Sequence, residues 1–274
     1  MHSNTRAIIY LLWGASIFLS QYSFSQKNTT QGIAFMAADK SGVSVFIILK
    51  DLPKQRFLFT VPEIFTAVGL KEGLFNYDRQ PWHLKGNNAE KQAENGLYAY
   101  HILLQLHEEG NAFWVNWKIT FENKSTQSLY DLAAFNCLNM NYADYFKDTA
   151  MTRTYVKDQS GKTISVKTIL KTQGDNKRTM QFYPVAGGIE DLTKNTWPNG
   201  WGVTAPTLLS GNSMWVESVD AAWKIETIVD GQVAYFFNNW EADHGCIHAS
   251  PLLAKDLKPG ETSTVTGSFR FTKK

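Results

Sequence analysis

The 274-residue chain is 43% hydrophobic and 14% aromatic, and its 27 basic residues stand against 25 acidic ones for a net charge of +2. Apolar residues recur along the whole length, which excludes disorder, and the near-neutral balance excludes the electrostatic footprint of nucleic-acid or anionic-membrane binding. At this length one domain buries a full core unaided, so stability alone does not account for the two cysteines, Cys137 and Cys246.

The first 25 residues read as a cleaved secretory signal. Arg6 is their only charge, an apolar run follows from Ala7 to Leu19, and Ser23-Phe24-Ser25 offers small residues at the two positions a signal peptidase inspects. The run is about 13 residues, short of the roughly 20 that a bilayer-spanning helix needs; an uncleaved anchor is the alternative. No cysteine precedes Cys137, so no lipid-modified N-terminal cysteine is available. Cleavage leaves 26 basic and 25 acidic residues, and a periplasmic or secreted product with no later membrane span is expected.

Residues 26–274 are expected to form a single all-β domain, a large antiparallel β-sandwich with few short helices. Gly42–Leu49 and Arg56–Val61 read as strands. Val61–Val68 reads as one or two helical turns, and Asn87–Glu94 as a short helix or a loop. In Ala112–Glu122 the residues Phe113, Val115, Trp117, Ile119 and Phe121 alternate with Trp114, Asn116, Lys118, Thr120 and Glu122, a period of two that means a strand with one buried face and Trp117 in the core. With Leu97–His107 before it and Leu129–Asn141 after it, the spacing predicts a three-stranded meander. Ala222–Val229 and Gln232–Asn239 flank Asp230-Gly231, a pair suited to a type I′ hairpin. The closing strand, Ser263–Thr272, turns Val265, Phe269 and Phe271 to one side. No phosphate loop, nucleophile elbow or dinucleotide fingerprint occurs, which sets nucleotide chemistry aside.

The densest polar cluster is Glu241–His248. If it is extended, His244, Cys246 and His248 share one face, a row of soft ligands suited to zinc, although three alternate residues span about 13 Å and need a bend at Gly245 to converge. The same segment offers Glu241, with His244 or His248, as an acid–base pair. The alternative is that these histidines hydrogen-bond a loop. Cys137 and Cys246 form a disulfide or remain two buried thiols; a disulfide would exclude Cys246 as a metal ligand. Asn141 and Arg153 at a strand exit suit sugar hydroxyls or a carboxylate, or else Arg153 pairs with Asp144 or Asp148. Trp197, Trp201 and Trp82 lie in turn-like stretches, as stacking platforms or as plugs of the sandwich ends, and Trp240 joins Trp201 as a candidate platform.

Leu257-Lys258-Pro259-Gly260-Glu261-Thr262, followed by Gly267-Ser268-Phe269-Arg270-Phe271, resembles the end of galactose-mutarotase-like supersandwich proteins. Trp117–Asn123 followed by Ser128–Asn141 is similar in layout to that superfamily's paired strands. Cys246-Ile247-His248-Ala249-Ser250-Pro251 resembles, more narrowly, an uncharacterised secreted bacterial family with a Cys-x-His-x-x-Pro segment before its Pro-Gly-Glu turn. The resemblance implies a concave, sugar-facing sheet. The mutarotases' catalytic residues have no matching positions here, so epimerase activity does not carry over. The expectation is an exported carbohydrate-recognising protein with a groove lined by Asn141, Arg153, Trp201, Trp240, Glu241 and His248 and with no obligatory cofactor; a lyase- or epimerase-like enzyme and a non-catalytic envelope protein are the alternatives.

Overall fold

A computed structural model describes residues 32–68, 80–169, 180–189, 191–192, 203–241 and 244–274. The signal segment, Trp197, Trp201 and Asp243 lie outside the described residues. The first strands are β1 (Ile33–Ala37), β2 (Val45–Leu49), β3 (Arg56–Thr66), β4 (His83–Lys85), β5 (Asn88–Glu94) and β6 (Tyr98–Glu109). Then come β7 (Ala112–Asn123), β8 (Leu129–Tyr142), β9 (Thr154–Asp158), β10 (Thr163–Ser165), β11 (Met180–Pro184) and β12 (Val203–Thr204). The chain closes with β13 (Leu209–Glu217), β14 (Trp223–Val229), β15 (Val233–Asn239), β16 (Cys246–Leu257) and β17 (Thr262–Lys273). Among the described residues, helix is confined to two short 3₁₀ turns, Asp144–Phe146 and Val166–Thr168.

These strands build an eight-stranded sheet, β1-β2-β3-β8-β16-β15-β11-β12, and a nine-stranded sheet, β10-β9-β13-β14-β17-β7-β6-β5-β4. The all-β sandwich expected from the alternating pattern is the observed architecture. Two local expectations are corrected. β6 and β7 pair as a hairpin, but β7 and β8 belong to different sheets, so Asn123–Gln127 crosses the sandwich and the meander is not formed. Likewise β14 pairs with β13 and β17, whereas β15 pairs with β11 and β16; Asp230-Gly231 links two sheets rather than two hairpin partners. Sequence periodicity marks which face a strand buries but not which sheet it joins.

Two helical readings are also corrected. Val61–Thr66 continues β3, because burial alternates from Phe57 and Phe59 into Val61 and a register shift between Thr60 and Ile64 carries the strand onward. Asn88–Glu94 is a strand whose inward face includes Ala89 and Lys91. The Lys91 stem is buried and its ammonium sits 4.9 Å from the centre of the buried Trp82 ring, which conceals the apolar alternation in the sequence.

Aromatic pairs stitch the sheets together: Phe57 with Phe271 at 5.0 Å, Phe59 with Phe269 at 4.9 Å, and Phe65 with Phe121 at 4.7 Å between ring centres. Such pairs contribute about 0.5–1.5 kcal/mol each beyond their buried area. Val265 packs at the edge of the same core, on the side that Phe269 and Phe271 occupy. Gly267 in β17 is held close to the facing chain, and a Cβ there would overlap the Ile228 carbonyl and the Trp117 ring. Because the carbonyl cannot rotate away, Gly267→Ala should cost about 3 kcal/mol, measured by urea denaturation.

The two sheets differ in how they meet solvent. In β8, Leu132, Ala134 and Leu138 face the inter-sheet core, while Ala133, Phe135 and Cys137 join Ile64, Phe182, Tyr235, Phe237 and Cys246 in a second buried cluster. The eight-stranded sheet thus buries both faces through its centre, and every residue of β15 is buried. The nine-stranded sheet keeps the clean alternation of a sheet with one solvated face, as β7 shows.

Candidate functional site

Three adjacent strands of the eight-stranded sheet converge on one buried polar group. The β8–β16 register runs from Ile247 opposite Leu138 to Leu252 opposite Ala133, which sets His248 opposite Cys137, with Cys246 two residues along the same face. His248 Nε2 lies 3.1 Å from Cys246 Sγ, and ligand atoms of Cys137, Cys246 and His248 all lie within 4.8 Å of one another. On the other side of β8, the register shift in β3 delivers Glu63 to a hydrogen bond with Cys137. Phe135 stacks on the His248 ring at 4.0 Å and Phe237 meets its edge at 4.9 Å.

Burial governs the chemistry of this group. It holds the His248 imidazole well below its usual range, against a smaller opposing effect of the Asn136 backbone. Burial pushes the Glu63 carboxyl up to about 7, only partly countered by the Cys137 thiol. Cys137 is raised well above the ordinary thiol range, first by its hydrogen bond with Cys246 and then by burial. Cys137 and Cys246 stand here as two buried, unbonded thiols.

Among the described residues, Asn141, Arg153, Trp240, Glu241 and His248 do not assemble into one groove. Glu241 and His244 are exposed on a turn closed by the His244 N–H donating to the Glu241 carbonyl at 2.8 Å. His248 is completely buried, so the proposed pairing of His248 with Glu241 as acid and base is not formed. His244 is likewise replaced by Cys137 beside Cys246 and His248, because neighbouring strands bring side chains closer than alternate positions on one strand do. Trp240 is 1% exposed and packs in the inter-sheet core, with no free face for stacking.

Arg153 is a structural residue. Its guanidinium donates to the Glu217 and Lys147 carbonyls and lies 3.9 Å from buried Asp148, which also accepts from the Arg153 N–H at 2.8 Å and the Thr154 hydroxyl at 2.7 Å. Asn141, half-buried, donates its backbone N–H to Asn139 Oδ1 at 2.8 Å. Arg153→Ala leaves two carbonyls and part of a buried carboxylate unpaired; a loss of about 2–3 kcal/mol is expected in thermal or urea unfolding, with ligand binding unchanged.

Sequence reasoning missed a different constellation, on the solvated face of the nine-stranded sheet. Paired positions across β9, β13, β14, β17, β7 and β6 place Tyr155, Trp215, Glu226, Arg270, Trp114 and His107 in one continuous row. Tyr155 and Trp215 stack at 5.7 Å, Lys224 sits 5.6 Å from the Trp215 ring, and Arg270 sits 5.0 Å from the Trp114 ring. All three aromatic residues are half-buried. Glu226 bonds Arg270, Lys224 at 2.9 Å and Ser213 at 3.0 Å. Burial pushes its carboxyl up, but Lys224 and Arg270 together outweigh that and hold it below the usual range. Farther along the same face lies an open cavity of about 600 Å³ lined by Gln92, Glu94, His101, Thr120, Glu122 and Thr262. The signal was present in the sequence: Trp114 occupies the polar parity of β7, where an outward tryptophan is out of place.

Fold and surface together make this a two-sheet β-sandwich with one solvated sheet face. The chain is similar to a protein of Synechocystis sp. over 92% of its own length and 99% of that chain, at 10% identity and a TM-score of 0.44. It is also similar to galactose mutarotase-like proteins of Lactobacillus casei, over 88% of this chain and 98% of that one at 8% identity and TM-score 0.43, and of Clostridium acetobutylicum, over 89% and 100% at 8% identity and TM-score 0.37. No protein-family model and no curated protein matches the sequence. Among the described residues no helix is long and apolar enough to cross a membrane.

Proposed function

We propose that the protein is exported and binds carbohydrate along the solvated face of the nine-stranded sheet. The observation that carries this reading is the cross-strand row of Tyr155, Trp215 and Trp114 with Glu226 and Arg270 between them. A pyranose presents C–H faces that pack on aromatic rings and hydroxyl edges that hydrogen-bond to polar side chains, and this row sets the stacked Tyr155–Trp215 pair and Trp114 on either side of the Glu226–Arg270 ion pair. Trp215 and Trp114 are three strands apart, roughly 14 Å at standard strand spacing, so the row suits an extended glycan rather than a single sugar. The polar cavity near Thr120 lies about 20 Å farther along β7 and extends the same track. Export rests on Arg6 and the Ala7–Leu19 run.

Binding without turnover is favoured over an enzyme, because Glu241 and His244 lie apart from this face and His248 is sealed in the opposite sheet. The test is affinity electrophoresis of the wild-type protein and the Trp114→Ala/Trp215→Ala double variant through a panel of neutral and uronate-containing polysaccharides. Retardation of the wild type by at least one polymer, lost in the variant, is expected; equal mobility of the two proteins in every gel contradicts the reading.

A further inference from the structure

The buried group beneath Phe135 is independent of the glycan surface and lies in the other sheet. We propose that Cys137, Cys246 and His248, closed by Glu63, form a binding site for one thiophilic d-block cation of the zinc class. Two thiols and an imidazole are donors that a tetrahedral zinc site uses, and here two neighbouring strands hold their ligand atoms within 4.8 Å of one another, while Glu63 on the next strand reaches the group through its hydrogen bond with Cys137. A site of this kind held by sheet register is formed before the ion arrives.

The surroundings fit that role better than they fit a purely apolar core. His248 is completely buried, yet Nδ1 has no hydrogen bond, and the polar edge of the ring points at Cys246 rather than at a carboxylate partner. Nε2, 3.1 Å from Cys246 Sγ, is the ring nitrogen placed to ligate beside that thiolate. Phe135 and Phe237 clamp the ring on its face and edge, which fixes its direction and excludes water. Glu63 is the half-buried member of the group, whereas Cys137, Cys246 and His248 are buried.

Binding exchanges protons for the cation. Cys137 and Cys246 each lose one proton and supply a thiolate pair, His248 binds through a ring-nitrogen lone pair, and Glu63 closes the site as a carboxylate. The protons of the two thiols pass to solvent as the thiolates bind the ion, and no oxidant or reductant takes part. A disulfide between the same cysteines is the competing state, since it would consume both thiolates.

The experiment is a titration of the reduced, oxygen-free protein at pH 7.5 with Co²⁺, followed by Zn²⁺. The expected result is a thiolate-to-cobalt charge-transfer band in the near ultraviolet and visible bands of a tetrahedral ion, saturating at one equivalent and bleached by one equivalent of Zn²⁺. Zinc at a hundredfold excess over its Kd should raise the melting temperature by about 5–10 °C. Glu63→Gln, a near-isosteric change at the half-buried member, should weaken cobalt affinity about 10–100-fold while the protein still folds. His244→Ala should leave the titration unchanged, separating this site from the row of alternate residues on one strand. Absence of the charge-transfer band in the folded, reduced wild-type protein overturns the proposal, as does a Cys137–Cys246 disulfide in the protein isolated without reductant.

Discussion

Trp240→Ala is expected to destabilise the protein by about 3–5 kcal/mol and to lower its melting temperature by roughly 10 °C, while the fraction that remains folded binds glycan as the wild type does. The indole is 1% exposed, sits in the inter-sheet core at the end of β15, and has an Nε1 with no hydrogen-bond partner. Truncation therefore removes apolar contacts on every side and opens a cavity that strand backbones cannot collapse into. A stacking platform would behave in the opposite way, with ligand affinity lost and stability kept. Differential scanning calorimetry alongside a binding assay separates the two, and a melting temperature within 2 °C of wild type, a bound on the order of 1 kcal/mol at this size, would return Trp240 to the ligand-binding residues.

Replacing both Trp114 and Trp215 by alanine is expected to abolish measurable polysaccharide binding, with each single substitution weakening it at least about tenfold. Aromatic anchors supply a large share of contact energy at interfaces, and removing one commonly costs about 2 kcal/mol or more. The structural cost is smaller than at Trp240. Both rings are half-buried on the outward face, and what they lose is the packing of Arg270, Lys224 and Tyr155 against them. Cation–π contacts at such sites contribute about 0.5–1 kcal/mol. Tyr155→Ala should give an intermediate effect, since its ring extends the row through Trp215. Binding is also expected to persist unchanged from pH 8 down to pH 5, because Lys224 and Arg270 keep Glu226 ionised throughout that range.

What the sequence made legible follows from solvent exposure. β7 and β17 alternate because the nine-stranded sheet has one wet face, so their parity, the burial of Trp117 and the inward turn of Phe269 could be read directly. β5 could not, since Lys91 buries an aliphatic stem against Trp82 and looks polar on paper. The meander and the Asp230-Gly231 hairpin failed for a topological reason: a short turn between two good strands is equally compatible with crossing from one sheet to the other.

The sites were harder because their residues are distant in sequence and adjacent only across strands. Cys246 and His248 stood out by their spacing, but Cys137 joins them through β8 pairing, more than a hundred residues away, and Glu63 through β3. One cue was available for Glu63: it is the lone charged residue inside Phe57–Phe65, a stretch otherwise apolar but for Thr60, and an acid so placed needs a partner. For the outward row the cue was parity. Trp114, Trp215 and Arg270 each occupy the solvent-facing register of a strand whose other face fills the core, and only the pairing order shows that they form one line.

The most direct test of the central claim is isothermal titration of the wild-type protein and the Trp114→Ala/Trp215→Ala variant with the polysaccharide that retards the wild type most strongly. Saturable binding by the wild type, at least a hundredfold weaker binding by the variant, and melting temperatures for the two proteins within a few degrees are expected. Equal affinities in the two proteins would show that the aromatic row on the nine-stranded sheet does not hold the glycan.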